Sequence, residues 1–276
     1  MKKNWTGERL ETYVYGEFVS EHLHRYCVSN QFISNKVVLD IASGEGYGSN
    51  LLSKSAKQVI GVDIDNEAIE KAKIKYKKSN LIFKTGSADK IPVDDNTIDV
   101  LISFETIEHH DKHQEMFNEI KRVLKPDGIL IMSSPDKKYH SDVTNKNNPF
   151  HIKELYLEEF EDLVKSKFLN YDIYFQRYIN QASLIASVEE FNNFSIFSGD
   201  FDNVYSRNLK PLYNIIVASD FNIEKIKISV FDGELLTKKM NLDALNEIHN
   251  SATFKIGRLI SYPFFKIKRL LKKQKN

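Results

Sequence analysis

Val37-Val38-Leu39-Asp40-Ile41-Ala42-Ser43-Gly44-Glu45-Gly46-Tyr47-Gly48 is the stretch on which the fold turns. Val37–Ile41 reads as a buried strand that delivers the chain to the carboxyl edge of a sheet, where ligands bind in open α/β folds. The glycines that follow remove Cβ atoms, so the backbone can turn tightly and approach a ligand closely. A helix expected near Ser49–Ala56 would then offer the unpaired N–H groups of its first turn.

Outward from this loop the same alternation repeats. Gln58–Val62, Leu81–Lys84, Ile98–Phe104 and Ile129–Met132 read as further strands, separated by helical periodicity at Glu67–Lys77 and His113–Leu124. Lys125-Pro126-Asp127-Gly128 reads as the turn that ends the second of these helices, because proline cannot continue it. Leu155–Val164 reads as a helix, and Tyr171–Phe175 and Leu212–Ala218 as two more strands. The pattern predicts an α/β fold: a Rossmann-like, seven-stranded, mostly parallel sheet flanked by helices. The expected division is a helical N-terminal lid over 1–35, centred on a helix at Leu10–Val28, and a central domain over 36–220 with an irregular insertion near 180–210. A C-terminal extension over 221–276 completes it, with Pro263 breaking its basic tail into two pieces.

Bulk composition narrows the classes. Lys and Arg number 39 against 38 Asp and Glu, so no global charge advertises DNA or another nucleic acid. The single cysteine, Cys27, allows neither an internal disulfide nor a CxxC zinc motif. With no apolar leader and no apolar run near the roughly 20 residues that span a bilayer, the expected location is the cytoplasm. The balance hides one asymmetry: Ala252–Asn276 holds eight Lys/Arg and no Asp/Glu. With its interleaved apolar residues, Thr253–Lys273 reads either as an amphipathic helix on the inner face of an anionic membrane or as a packed element with solvated lysines.

Asp63 closes the second strand in Gly61-Val62-Asp63-Ile64-Asp65, at a separation from the glycine loop that suits a carboxylate accepting ribose hydroxyls. That pairing also fits a nicotinamide cofactor, yet the spacing Gly44-x-Gly46-x-Gly48 departs from GxGxxG. From Val37 to Ser134 the chain resembles the class I S-adenosylmethionine-dependent methyltransferases, and the motifs run in the family's order. The resemblance implies S-adenosylmethionine as cofactor, with Asp40, Ala42, Ser43, Gly44 and Gly46 forming the loop that holds its methionine part. It implies Asp63 on the ribose, Ile64 against the adenine, and Ser87, Ala88 and Asp89 at the adenine edge. Ser87 stands where the family often has Asp, so either Ser87 or Asp89 meets the adenine amine. Phe104, at the end of the fourth strand, joins the cofactor set. Asn96–Val100 and Arg122–Gly128 match the segments that lead into the fourth and fifth strands.

Ser103-Phe104-Glu105-Thr106-Ile107-Glu108-His109-His110 lies where the transferable methyl group would sit. Methyl transfer to oxygen needs alignment of acceptor and methyl and removal of the hydroxyl proton, which makes Glu105, His109 and His151 the candidate catalytic residues. Glu105, Glu108 and His109 have E-x-x-E-H spacing, expected to place them on one helical turn, and His151 in Asn148-Pro149-Phe150-His151 could complete a site for Mg²⁺, Mn²⁺ or Zn²⁺. This arrangement is similar to metal-assisted methyltransferases acting on catechol-like quinone precursors and RNA ribose ends. The competing reading is that Glu108 and His109 cap the next helix while His151 begins another. At the N-terminus, Glu17, His22 or Arg25 could face the acceptor, or a plain amphipathic helix could account for the segment. TGER, EHLHRY, LDIASGEGYGS, SFETIEHH, SSPDKKYHSD and NPFH together resemble bacterial methyltransferases of surface-polysaccharide biosynthesis. That likeness implies O-methylation of a sugar, sugar nucleotide or glycan end, with another small molecule or an RNA end as alternative acceptors. A nicotinamide-dependent oxidoreductase and a non-catalytic cofactor-binding protein are the rival classes.

Overall fold

The computed structural model describes residues 9–14, 16–145 and 148–273, with backbone alone for 263–273. Thr6, Gly7 and Glu8 of the N-terminal motif lie outside the described residues. The chain forms two compact units that part between Asp232 and Gly233. The first is built on a nine-stranded mixed sheet.

The centre of that sheet is β1 (Val37–Ile41), paired in parallel with β2 (Gln58–Asp63) on one side and β4 (Ile98–Phe104) on the other. β3 (Leu81–Thr85) closes the β2 edge, and β5 (Leu124–Pro135) lies beyond β4. β1, β2, β4 and the second half of β5 are buried on both faces, as parallel strands covered by helices must be, whereas β3 alternates as an edge strand does. Leu39, Ile41, Leu101, Leu130 and Met132 point into one core against Met116, Phe117 and Ile120 of α4 (His113–Val123). Their neighbours Val38, Val100, Ile102 and Ile131 point into the other, against Leu52 of α2 (Tyr47–Leu52), Ile69 of α3 (Asn66–Lys75) and Ile33 of α1 (Glu17–Ile33). The two-residue side-chain period of a strand thus feeds both layers.

β6 (Asn170–Ile179) runs after α5 (Leu157–Lys165), and β10 (Tyr213–Ser219) inserts antiparallel between β5 and β6. Nine strands stand where seven were expected. The insertion near 180–210 is ordered rather than irregular: β7 (Ala182–Ser187) pairs with β6, and α6 (Val188–Asn193) follows behind a Ser187–Glu190 capping box. A separate hairpin, β8 (Ile196–Gly199) with β9 (Val204–Arg207), completes it. The other additional strand, β11 (Ser229–Asp232), pairs with β7, so the boundary expected after residue 220 falls inside the first unit.

Two local expectations also change. Lys125–Gly128 is part of β5, not a free turn. The register slips between Ile98 and Val100, where Leu124 and Ile129 are the partners, so the extra residues bulge out of the ladder. In the second unit, α7 (Glu234–Asn250) is followed by α8 (Ala252–Lys273), which continues through Pro263 as one helix.

Helix α1, within the segment expected as an N-terminal lid, packs as a wall of the core. His24 sits between the hydroxyls of Ser183 (3.1 Å) and Ser229 (3.0 Å), tying α1 to β7 and β11. Gln176 of β6 donates to the Glu21 carbonyl at 2.9 Å. Burial lowers the His24 pKa to about 4, so the ring is neutral in this position. At Gly48 the Tyr26 ring occupies the space of a side chain: a Cβ there would lie 2.0 Å from Tyr26 Cζ. Gly48→Ala is therefore expected to lower unfolding stability by about 1–3 kcal/mol through overpacking, read as a lower urea midpoint.

Candidate active site

A cavity of about 880 Å³ opens at the carboxyl ends of β1, β2 and β4. It brings together Ala42, Ser43, Gly44, Asp63, Ile64, Ser87, Ala88, Asp89, Phe104, Glu105, Glu108, His109 and His151, all expected from the sequence. Two predicted cofactor residues are not in its lining. Asp40 is buried beneath the loop, where its carboxylate accepts from Ser49 Oγ (2.6 Å) and Tyr26 OH (3.3 Å). Gly46 caps α2 in the left-handed region at φ 85°, and a Cβ on it would meet the Phe83 ring at 2.7 Å. Both hold the loop in shape from behind.

The loop itself is bent by successive positive φ values at Ala42 (58°), Gly44 (54°) and Gly46. Ala42 adopts this conformation at a steric cost that glycine would avoid. Ser43 N–H donates to the Val62 carbonyl at 2.9 Å, which fastens the loop to β2. Its hydroxyl is buried with no hydrogen-bond partner among the described residues. A buried hydroxyl facing a cavity in this way suits a polar ligand that completes it.

Asp63 is pre-set by the backbone. Its Oδ2 accepts Gly44 N–H at 2.7 Å and its Oδ1 accepts Asp65 N–H at 2.9 Å. Arg9 reaches over the same carboxylate at 3.3 Å and pairs with Asp65 at 2.6 Å. Ile64 is 75% exposed at the cavity wall, an apolar side chain placed where a flat aromatic ligand could cover it. Asp89 pairs with Lys112 at 2.6 Å, and that contact with the Ser87 hydroxyl lowers its pKa to about 2. The two candidates for the adenine edge are thus joined to each other by a hydrogen bond between the Ser87 hydroxyl and the Asp89 carboxylate.

Glu105 is the main departure. The E-x-x-E-H spacing does not form one helical turn: Glu105 is in the left-handed region at φ 51°, and a short 3-10 turn, Ile107–His109, begins after it. Its carboxylate forms an ion pair with Arg25, which has no exposed surface, and accepts from Ser133 Oγ at 2.6 Å. The residues whose ligand atoms gather within 4.8 Å of one another are Glu108, His109 and His151. Glu108 also anchors the opposite loop, since its carbonyl accepts the N–H groups of Ile152 (2.8 Å) and Lys153 (3.1 Å). The capping alternative does not describe the site, because Lys112 is the N-cap of α4 and α5 starts at Leu157, beyond His151.

Of the N-terminal candidates, His22 lines the cavity and accepts or donates a hydrogen bond with Tyr47 OH at 3.1 Å. Arg25 acts through Glu105, and Glu17 is not part of the lining. Arg9, Phe18, His140 and Tyr213 line the cavity without having been singled out. His110 lines it too, with both ring nitrogens buried and without a hydrogen-bond partner among the described residues. Arg9, His110 and His140 stood within the quoted TGER, SFETIEHH and SSPDKKYHSD segments, whereas Phe18 and Tyr213 lay outside every quoted motif.

The sheet order, the bent glycine loop and the pre-set Asp63 define a Rossmann-like domain for a nucleotide-type cofactor. The model of a methyltransferase-domain family matches residues 33–174, just over half the chain, and the chain belongs to this family of class I S-adenosylmethionine-dependent methyltransferases. It is 32% identical over 130 residues to a "Probable S-adenosylmethionine-dependent methyltransferase" of Mycolicibacterium smegmatis, covering 47% of this chain and 50% of that protein. It is 27% identical over 144 residues to the "Uncharacterized methyltransferase YcgJ" of Bacillus subtilis, covering 49% and 57%. The crystal structure of YcgJ shares the fold at a TM-score of 0.54 and 18% identity, covering 73% of this chain and all of the other. The chain spans about half the length of the curated relatives it matches. A nicotinamide-dependent oxidoreductase finds no support in these likenesses.

Two outcomes follow for the loop. Asp63→Asn removes the charge while keeping one acceptor oxygen, and is expected to weaken S-adenosylhomocysteine binding about tenfold or more, measured by calorimetry. Burial raises the Asp40 pKa from 3.8 to about 7. A raised carboxyl contributes stability below its unfolded pKa that is lost as pH rises through the folded value. The stability of Asp40→Asn relative to the wild type should therefore increase from pH 4 to pH 7, seen as a pH-dependent difference in melting temperature.

Proposed function

We propose that the protein transfers the methyl group of S-adenosylmethionine to a hydroxyl oxygen of a sugar, sugar nucleotide or glycan end, with a divalent cation held by Glu108, His109 and His151. The carrying observation is how the two histidines are oriented. His109 Nδ1 lies 3.1 Å from the Phe150 carbonyl, which can only accept, so Nδ1 is the donor of that contact. His151 Nδ1 meets the Glu154 carboxylate, which fixes that ring in the same sense. Carboxylates and carbonyls behind imidazoles are the usual supports of metal-binding histidines. One buried carboxylate with two imidazoles suits Mn²⁺ or Zn²⁺ better than Mg²⁺, which prefers oxygen.

When bound, such a cation would lower the pKa of a coordinated acceptor hydroxyl and fix its orientation. The protein's own part is positional. Ser43, Asp63, Ile64 and Asp89 hold the cofactor, and Phe104 backs its reacting end. In the transfer the sulfonium–methyl bond breaks as the oxygen–methyl bond forms, leaving S-adenosylhomocysteine, a methyl ether and a proton. Glu105, paired with Arg25, serves as a hydrogen-bond acceptor for a neighbouring hydroxyl of the acceptor, not as the base. Phe18, Phe150 and Tyr213 supply apolar surface beside His22 and Glu105, a mixture that suits the C–H and O–H faces of a sugar. The closing role once expected of the N-terminal region falls in this reading to the segment 9–14, where Thr12 N–H donates to Glu45 at 2.8 Å beside the Arg9 bridge.

Turnover on sugar-nucleotide and glycan acceptors, measured as S-adenosylhomocysteine release before and after chelation, tests this reading. Activity should fall at least about tenfold on metal removal and return with Mn²⁺ or Zn²⁺, and His151→Ala should abolish the restoration. Full activity in a metal-free preparation would sink the metal assignment. Methylation confined to RNA ends would sink the glycan assignment.

A further inference from the structure

The second compact unit contains a helical pair, α7 and α8, whose side chains are mostly exposed among the described residues. From Glu234 to Tyr262 no residue is buried, and α7 and α8 touch one another without forming a core, the His249 and Phe254 rings meeting at 4.7 Å. Helices in water draw most of their stability from burying an apolar face. Here that face is open: Ile256, Leu259 and Ile260, at three- and four-residue spacing on one side of α8, are 59%, 80% and 65% exposed. Tyr262 is 58% exposed. Lys255 and Arg258 flank and oppose this stripe. The sequence keeps the same spacing onward through Ile267 and Leu270, and the stretch from Ala252 carries eight basic residues and no acid.

An apolar stripe edged by one sign of charge selects its cover. A second copy of the same helix would bring like charges together, which is unfavourable at close range. Among the described residues no helix is long and apolar enough to cross a membrane. A bilayer surface rich in anionic lipid supplies both an apolar layer for the stripe and negative headgroups for the lysines and arginines. We propose that α8 lies in the interface of an anionic membrane, with Ile256, Leu259 and Ile260 directed into the acyl boundary, and holds the methyltransferase unit at that surface. This stands independently of the acceptor and metal readings above.

Co-sedimentation of the full chain with vesicles tests it, using phosphatidylglycerol mixed equally with phosphatidylcholine against phosphatidylcholine alone. Binding to the anionic vesicles should be about tenfold stronger and should weaken as salt is raised. Leu259→Asp with Ile260→Asp should remove it, and Lys255→Glu with Arg258→Glu should reduce it severalfold. All variants should bind S-adenosylhomocysteine as the wild type does, which shows that the first unit is intact. Equal binding to both vesicle types, binding that survives both pairs of substitutions, or no vesicle binding overturns the proposal. So does a dimer in solution that Leu259→Asp dissociates without any vesicle association.

Discussion

Arg25 has no exposed surface, and a guanidinium taken out of water without a counter-charge costs several kcal/mol. The chain meets that demand with Glu105, at the end of β4, and much of the site's layout follows. Ser133 of β5 joins the pair, lying 2.7 Å from Arg25 Nη1 and 2.6 Å from the Glu105 carboxylate. Tyr213 of β10 covers the guanidinium face at 4.6 Å. One side chain from α1 therefore fixes the ends of three strands where they border the cavity. Turning Glu105 toward Arg25 needs the left-handed backbone at φ 51°, a conformation with a steric cost for any residue but glycine. The ion pair offsets that cost. Glu21, one helical turn before Arg25, is also buried, and burial pushes its pKa up to about 7. Glu105 is the carboxylate in ion-pair contact with Arg25.

Committing Glu105 to Arg25 changes the chemistry available next door. The three neighbouring donors that converge are a carboxylate from a 3-10 turn, a histidine beside it and a histidine from the 148–152 loop. Their convergence depends on backbone bonds as much as on side chains, because the Glu108 carbonyl pins Ile152 and Lys153. His151 is shared with a second grouping, His140 and Glu154, whose ligand atoms also lie within 4.8 Å. The contact of Glu154 with His151 Nδ1 links the two groupings.

What could be read in the sequence was governed by whether neighbours in the chain decide the structure. β1 and β4 were legible to the residue because a parallel strand buried on both faces is a continuous apolar run. Asp63, Ile64 and the Gly86–Asp89 segment were legible because each follows its strand directly. β7 was not, since Ala182–Ser187 mixes small and polar residues whose burial depends on β6 and on His24 of α1. β11 is four residues long, with a burial pattern that shows only once β7 is beside it. The role of Arg25 was hidden for the same reason: its partner lies eighty positions away. E-x-x-E-H misled because the spacing was read as helical, while the buried charge on α1 outweighed local geometry at Glu105.

The two halves of the site differ in origin. The cofactor side, from Ser43 to Phe104, lies wholly within residues 33–174, the span the family shares. The rest of the cavity lining includes Phe18 and His22 from α1 and Tyr213 from β10, all three outside that span. Methyl transfer asks the first group to hold one invariant molecule, so its geometry is set by strand ends and backbone bonds that short motifs can specify. Recognition of the acceptor asks only that some side chains reach the same cavity, and helix α1 and strand β10 can supply these in any chemistry that packs. The Arg25–Glu105 pair joins the halves, because it seats α1 against the end of β4. The part of the lining that α1 supplies is therefore held in register with the strand ends by a charge that must be neutralised.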